Sequence, residues 1–258
     1  MKQLQDKVVI VTGSTIGIGS AIARRCVAEG ARVMLHGLER TEGTALAAEL
    51  GEAARLVISD LSEDAAPAEL IAATVAAFGK IDALVNNAAI VATGHLGNSD
   101  AAHFDRIMRV NVRAPYLLIQ AALPHLQATH GCVVNIGSVN AYSGEENLLP
   151  YSISKGALMT LSRNLGDVLP RSHGVRVNQI NPGWVLTESE RVRKQEQGMP
   201  ADWPAQLPKM FAPSSRLFKP EEIAHAVMYF LSEAAGPISG QILDIEQHPF
   251  IGRNPPKL

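Results

Sequence analysis

Tyr151 and Lys155, in the stretch "YSISK", stand four residues apart directly after Pro150. On a helix this spacing puts a phenol and an ammonium on one face. A phenol, with an ordinary pKa near ~10, is a poor base at neutral pH unless a cation stabilises its phenolate. Taken alone, the pair equally suits the solvated side of an amphipathic helix, so the surrounding elements must decide. Ser138 precedes Tyr151 by 13 residues. Asn111 lies in "MRVNVRAPY", a helical stretch where asparagine is intrinsically unfavourable.

A second group of residues could hold an anion. In "TGSTIGIGSAIA", Gly13, Gly17 and Gly19 follow G-x-x-x-G-x-G and run straight into a helical pattern, with Ser14 and Ile18 between them. A backbone without Cβ atoms turns tightly here and lets a pyrophosphate approach the helix N-terminus, where free amides and the dipole favour an anion. This is not the G-x-G-x-x-G fingerprint, and a ligand-free strand-to-helix turn is the plain alternative. The end of the next apolar run, "HGLER", should meet the adenosine ribose. An acid there accepts from the ribose diol, whereas an arginine pairs with a 2′-phosphate. Gly37 and Leu38 do neither, and Glu39 and Arg40 serve opposite preferences or cap the following helix. With no basic residue at Ser14, Thr15 or Ile16, the reading leans to NAD over NADP.

These residues need a frame, and the hydrophobic pattern supplies one. Short runs rich in β-branched residues begin at Lys7, Ala31, Ala54, Asp82, Cys132, Val175 and Gly240. Continuous runs of this kind suit strands buried on both faces of a parallel sheet. Helical segments alternate with them: 18–29, 41–50, 65–78, 101–126, 151–169 and 221–231. The pattern predicts one α/β domain, a doubly wound parallel sheet of about seven strands with helices on both faces. From Trp184 to Ser215 the rhythm breaks into prolines, charges and the bulky Trp203, Met210 and Phe211. An insertion of this length after a strand's carboxyl end reads as a substrate lid. The tail from Arg253, "RNPPKL", reads as loosely held.

Composition narrows the function. The formal net charge of −2 gives no general attraction to nucleic acid or an anionic membrane. No apolar run reaches transmembrane length, and the first residues lack a signal-peptide layout, so a cytoplasmic location is expected. Cys26 and Cys132 have no metal-ligand spacing and read as reduced core residues. The eight histidines form no zinc-like pair, and no metal is expected. His95 follows the fourth strand, where it either touches substrate or sits on the surface.

In this order and spacing the motifs resemble the short-chain dehydrogenases/reductases, from Lys7 to about Ile245. The matching pieces are Thr12–Gly19, Asp60-Leu61 after the third strand, "NNAA" from Asn86, Asn111, Ser138, Tyr151, Lys155 and "NPGWVLT" from Asn181. The resemblance implies a Rossmann-type fold and a homotetramer or homodimer. It makes Tyr151 the acid–base, Lys155 the cation that holds the nicotinamide ribose and lowers the tyrosine pKa, and Ser138 a donor to the substrate oxygen. Asn111 would hold a water that relays protons. Asp60 and Leu61 would meet adenine, with an N-cap the alternative for Asp60, and Asn87, Ala88 and Ala89 would line the adenosine-ribose side. Pro182, Gly183, Val185 and Thr187 would contact the nicotinamide carboxamide and pyrophosphate. Two departures stand out: Ala89 where the family usually has glycine, and "DIEQHPFIG" from Asp244 where the family's last strand commonly ends Asp-Gly-Gly. The second suggests that the C-terminus reaches a neighbouring subunit's active site.

The substrate is less legible. Asn140, Glu145, Glu146 and Asn147 make the segment before Tyr151 polar, which favours a small sugar- or polyol-like secondary alcohol. Arg191, Arg193 and Lys194 could grip an anionic group, or be solvated helix charges. An NADPH-dependent reductase of a 3-oxoacyl thioester or ketone stays open, as does a nucleotide-binding protein without catalysis.

Overall fold

In the computed structural model, which describes residues 2–142 and 145–248, strand β1 (Val8–Val11) is buried along its whole length. Val9 and Val11 point into one hydrophobic layer, and Val8 and Ile10 into another. A strand with two apolar faces must lie inside a sheet covered on both sides. The remaining strands are β2 (Arg32–Gly37), β3 (Ala54–Ile58), β4 (Ala83–Asn86), β5 (Cys132–Ile136), β6 (Arg176–Pro182) and β7 (Ile242–Ile245). All pair in parallel, in the order β3-β2-β1-β4-β5-β6-β7.

The helices are α1 (Gly17–Ala28), α2 (Arg40–Leu50), α3 (Ala66–Phe78), α4 (Ala101–Met108), α5 (Ala114–Thr129), α6 (Leu149–His173), α7 (Glu188–Glu196) and α8 (Pro220–Leu231). Ile22, Cys26, Leu46, Ile223 and Val227 bring α1, α2 and α8 onto one face of the sheet. Leu70, Leu118, Leu126 and Leu169 bring α3, α5 and α6 onto the other. The strand order reverses direction between β1 and β4, so the loops leaving their carboxyl ends diverge and open a cleft. Both cysteines are free and buried within the first layer. No helix among the described residues is long and apolar enough to cross a membrane.

The expected single helix over 101–126 is two helices, α4 and α5, joined by a turn of π-helix at Arg109–Arg113. The cause is visible at its centre. Asn111 is buried, and its carboxamide pairs with the main chain of Ile90, accepting from N at 2.8 Å and donating to O at 3.0 Å. One inserted residue is what a π-turn accommodates, and such turns gather at functional sites.

The 184–215 segment builds a small core together with Leu217. Trp203, Ala212 and Leu217 are buried against Trp184, Leu186, Met199 and Leu207, and the two tryptophan rings stack at 5.3 Å. Helix α7 lies within this segment. The tail from Arg253 is outside the described residues.

Candidate active site

The loop after β1 is shaped by what a side chain would strike. Gly13 and Gly17 both have φ +59°, and a Cβ at Gly13 would come within 2.8 Å of the Ala88 Cα. A Cβ at Gly19 would overlap the Gly13 carbonyl and crowd the Asn87 carboxamide. The loop is stitched to the end of β4. Thr12 Oγ1 accepts from the amides of Asn87 and Ala88 at 3.0 and 3.1 Å, and Asn87 Nδ2 donates to the carbonyls of Thr12 and Gly13, both at 2.9 Å. No side chain caps α1, so its first amides and the positive end of its dipole face the cleft.

Ser14 is used differently from what its place in the loop suggests. Its hydroxyl accepts from the His36 amide at 3.0 Å and its own amide donates to the His36 carbonyl at 2.7 Å, latching the loop to β2. His36 is held neutral, its pKa pushed down to about 4 by burial. Its Nε2 lies 3.0 Å from the Ser59 carbonyl, leaving Nδ1 to accept from the Gly13 amide at 3.5 Å.

At the adenosine end, Leu38 is 58% exposed over the cleft's rim. The Glu39 carboxylate reaches back to accept from the Thr15 hydroxyl, which places an acid beside the glycine loop. Asp60 Oδ1 accepts from the Ser62 amide at 2.8 Å, closing a turn rather than capping α3, whose N-cap position is Ala65. Leu61 packs its side chain into the core layer.

Ser138, Tyr151 and Lys155 meet at the other end. Ser138 follows β5, and the other two project from the first turns of α6. All three line one cavity of about 350 Å³. Ile18, Asn87, Pro182, Gly183, Val185 and Thr187 line it too, as do Trp184, Arg193, Lys194 and Phe211 from the 184–215 segment. Gly13, Ser14, Gly17, Gly19, Leu38, Asp60, Leu61, Ala88 and Asn111 stand outside it; His95 is an exposed loop residue.

Lys155 is 2% exposed, and its Nζ donates to the Ile136 carbonyl at 2.8 Å and lies 5.6 Å from the centre of the Tyr151 ring. Burial lowers its pKa to about 8. Burial also pushes the Tyr151 phenol up to about 12, opposed by the Ser138 hydroxyl and by the charge of Arg193. Both groups are thus driven towards neutrality by the dry site. Asn111 Nδ2 also donates to Ser154 Oγ at 3.0 Å, so the carboxamide ties α6 to the strand that precedes Ile90.

Several contributing residues have no role assigned by the motifs. Asn181 Oδ1 accepts from the Ser138 amide at 3.1 Å and from Gln179 Nε2 at 2.7 Å, while its Nδ2 donates to Asp244 at 3.0 Å. Gln179 continues to Ser162, Asn135 and Asn86 through bonds of 2.7–2.8 Å. This polar line crosses four strands, from β7 to β4, and fixes the turn that carries Ser138. The amides in "VRVNQINPG", at positions that should be apolar in a central strand, are its sequence signal. The C-terminal departure also turns inward: Glu246 and His248 line this subunit's own cavity. Gln247 accepts from Ser214 Oγ at 2.6 Å and donates to the Arg216 carbonyl at 2.7 Å, fastening the 184–215 segment to the end of β7. The suggested reach into a neighbouring subunit concerns residues past 248, outside those described.

Comparison with known proteins agrees with this geometry. A family model described as Enoyl-(Acyl carrier protein) reductase matches residues 13–247. A dehydrogenase/reductase SDR family member 4 from Sus scrofa is 34% identical over 252 residues, spanning 93% of this chain and 86% of the relative. The chain belongs to the short-chain dehydrogenase/reductase family. An L-fucose dehydrogenase from Mus musculus is 33% identical over 231 residues, covering 88% of this chain and 83% of that protein. Among solved structures, a 3-ketoacyl-(acyl-carrier-protein) reductase from Brucella melitensis complexed with NADH superposes with a TM-score of 0.82 at 30% identity. It covers 94% of this chain and 97% of its own. As a member of this family, the protein is an NAD(P)-dependent oxidoreductase acting on a CH–OH group.

The cleft fits the dinucleotide that the family uses. Its glycine cradle leaves room where Cβ atoms would stand, an uncapped helix faces it, and the donor set at its far end consists of Lys155, Ser138 and Tyr151.

Proposed function

We propose that the protein transfers a hydride between a nicotinamide dinucleotide, preferentially NAD, and a secondary alcohol or ketone on a small, polar, carbohydrate-like molecule. The observation that carries this reading is the convergence of Ser138, Tyr151 and Lys155 on one cavity that Ile18 and Asn87, beside the glycine loop, also line. The preference for NAD rests on Glu39, whose carboxylate beside Thr15 would repel a 2′-phosphate, and on the absence of a base at Leu38. Polar lining by Asn140, Glu145, Glu190 and Glu246 supports a hydroxyl-rich substrate over a long acyl chain.

When bound, the dinucleotide supplies the hydride acceptor or donor for the carbinol carbon. Gly13, Gly17, Ile18 and Gly19 would hold its pyrophosphate, with Pro182, Gly183, Val185 and Thr187 closing over the nicotinamide half. Leu38, Asp60, Leu61, Asn87 and Ala88 would line the adenosine half, Asp60 and Leu61 through main chain and rim because their side chains are spent locally. Lys155 has two ammonium protons beyond the one given to Ile136, enough for a ribose diol. In oxidation Tyr151 would act as the phenolate, which the Lys155 ammonium would stabilise against burial, and take the hydroxyl proton of the substrate, while Ser138 would donate to the same oxygen and fix its distance. Asn111 locks the π-turn; with its carboxamide committed to Ile90 and Ser154, a relay water would rest on main-chain carbonyls there.

We assign the 184–215 segment the role of substrate lid, with its stacked tryptophans as the rigid part. Assembly as a homo-oligomer is in keeping with exposed Tyr116, Ile153 and Val168 on α5 and α6. The alternative of a 3-oxoacyl reductase draws on the Brucella melitensis neighbour. A panel of NAD⁺ and NADP⁺ against sugars, polyols, hydroxy acids and simple secondary alcohols, with NADH and NADPH against ketones and acyl thioesters, separates the two. Turnover of a polar alcohol with NAD⁺ is expected; activity confined to NADPH and acyl thioesters would replace this reading with the alternative.

A further inference from the structure

We infer that the substrate carries an anionic terminus, a carboxylate or a phosphate ester, and that Arg193 receives it at the lid wall of the cavity. The inference rests on the functional reading above and narrows its substrate class.

Of the three lid cations in "RVRK", only Arg193 and Lys194 line the cavity that holds Ser138 and Tyr151; Arg191 does not. Arg193 is held from behind. Its Nε and Nη2 donate to Glu190 Oε2 at 3.0 and 2.5 Å, while Glu190 Oε1 accepts from Trp184 Nε1 at 2.8 Å. Glu190 is buried and is itself placed by Thr187, which accepts from the Glu190 amide at 3.1 Å. An arginine so buttressed loses little side-chain freedom on binding, and its fork matches a carboxylate or phosphate. Nη1 has no hydrogen-bond partner among the described residues.

Lys194 stands next to Arg193, its Nζ 5.3 Å from the centre of the Trp184 ring and 3.2 Å from Gln197 Oε1, to which it donates. The charges of Arg193, Glu145 and Glu190 are all felt at Tyr151, the first opposed by the other two, which places this end of α7 within electrostatic reach of the reacting oxygen. Glu145 lines the cavity from the segment between Ser138 and Tyr151, so the site is bipolar. An acid substrate would orient with its charged end towards α7 and its hydroxyls towards Asn140 and Glu145.

Both lid tryptophans sit beside this point, so binding is readable without turnover. Wild-type protein with NAD⁺ is titrated with four- to six-carbon aldonates, 2- and 3-hydroxy acids, sugar phosphates and the matching neutral polyols, following tryptophan fluorescence. At least one anion class should bind ~10- to 100-fold tighter than its neutral counterpart, as a charge-assisted pair predicts. Arg193→Gln should erase that preference and Arg193→Lys should restore part of it. Arg193→Gln with Glu190→Gln, which leaves no buried unpaired carboxylate, guards against misfolding and should behave like the single variant. Carboxylates and phosphates are told apart by which series shows the preference. Equal binding of charged and neutral partners, or a preference that survives Arg193→Gln, overturns the proposal. Anion binding without oxidation of any polyhydroxy compound would preserve the arginine site and sink the carbohydrate reading instead.

Discussion

The two ends of the cleft are built from different materials. At the glycine end, which we propose as the phosphate end, the backbone makes the site: glycines that exclude Cβ atoms, an uncapped helix and amides stitched between β1 and β4. At the reactive end side chains make it, drawn from α6, the loop after β5, the end of β6 and the 184–215 segment. A backbone site depends on local conformation and tolerates little steric change. A side-chain site depends on burial, which sets the protonation of Tyr151 and Lys155 and thus the chemistry itself.

The sharpest way to test that division is Tyr151→Phe. Loss of the phenol should lower kcat by about 10³–10⁴ while leaving the Kd for the dinucleotide within a few fold, measured by steady-state kinetics and cofactor titration. Near-normal turnover would show that the reactive end does not work through this side chain.

At the opposite end, Gly19→Ala should do the reverse. A methyl group there meets the Gly13 carbonyl and Asn87, so dinucleotide affinity should fall by ~100-fold, on the scale of one lost charge-assisted contact plus strain. Turnover at saturating cofactor should fall far less. If kcat collapses and Kd does not, the two ends are not separable.

Lys155→Met probes the cost of the dry site. A pKa of about 8 means that folding disfavours the ammonium. Below pH 8 both folded and unfolded chains carry the charge and the penalty is full. Between pH 8 and the ordinary ~10.4 the unfolded chain binds more protons, so the wild type gains stability as pH rises. The inactive variant should therefore be more stable than wild type by about 1–2 kcal/mol near pH 7, after the lost bond to Ile136 is subtracted, with the gap closing towards pH 10. Denaturant melts at pH 7 and 9.5 read it; a destabilised variant at pH 7 contradicts the sign.

The smallest expected effect is the most remote. Asp244→Ala removes the acceptor that orients the Asn181 carboxamide towards Ser138. We expect kcat to fall ~3- to 10-fold with cofactor Kd unchanged. A loss in cofactor affinity instead would mean that the polar line serves the phosphate end.

Which parts were legible follows the same division. All seven strands, the glycine loop and the pair Tyr151–Lys155 are local patterns, and each sits where its period or spacing predicts. The family they resemble is the one to which the chain belongs. What local pattern missed is non-local. The π-turn at Asn111 keeps a helical hydrophobic period almost intact, so 101–126 reads as one helix until Ile90 is seen to claim the carboxamide. Ser14 reads as a phosphate contact from its place in the glycine loop, yet its hydroxyl is spent on β2. Glu39 and Thr15 are 24 residues apart, Asn181 and Asp244 are 63 apart, and nothing in either segment names its partner.

The order of residues by itself determined a parallel α/β sheet, a glycine turn running into a helix and a tyrosine–lysine pair one helical turn apart, because these depend on periodicity, glycine geometry and short-range spacing. Tertiary structure alone decided that Tyr151 and Lys155 lie in the dry and are pushed towards neutrality. It also decided that Gln247 ties the end of β7 to Ser214, and that of three neighbouring cations Arg193 is the one braced towards the cavity. Burial and buttressing are sums over distant neighbours, and no stretch of sequence contains them.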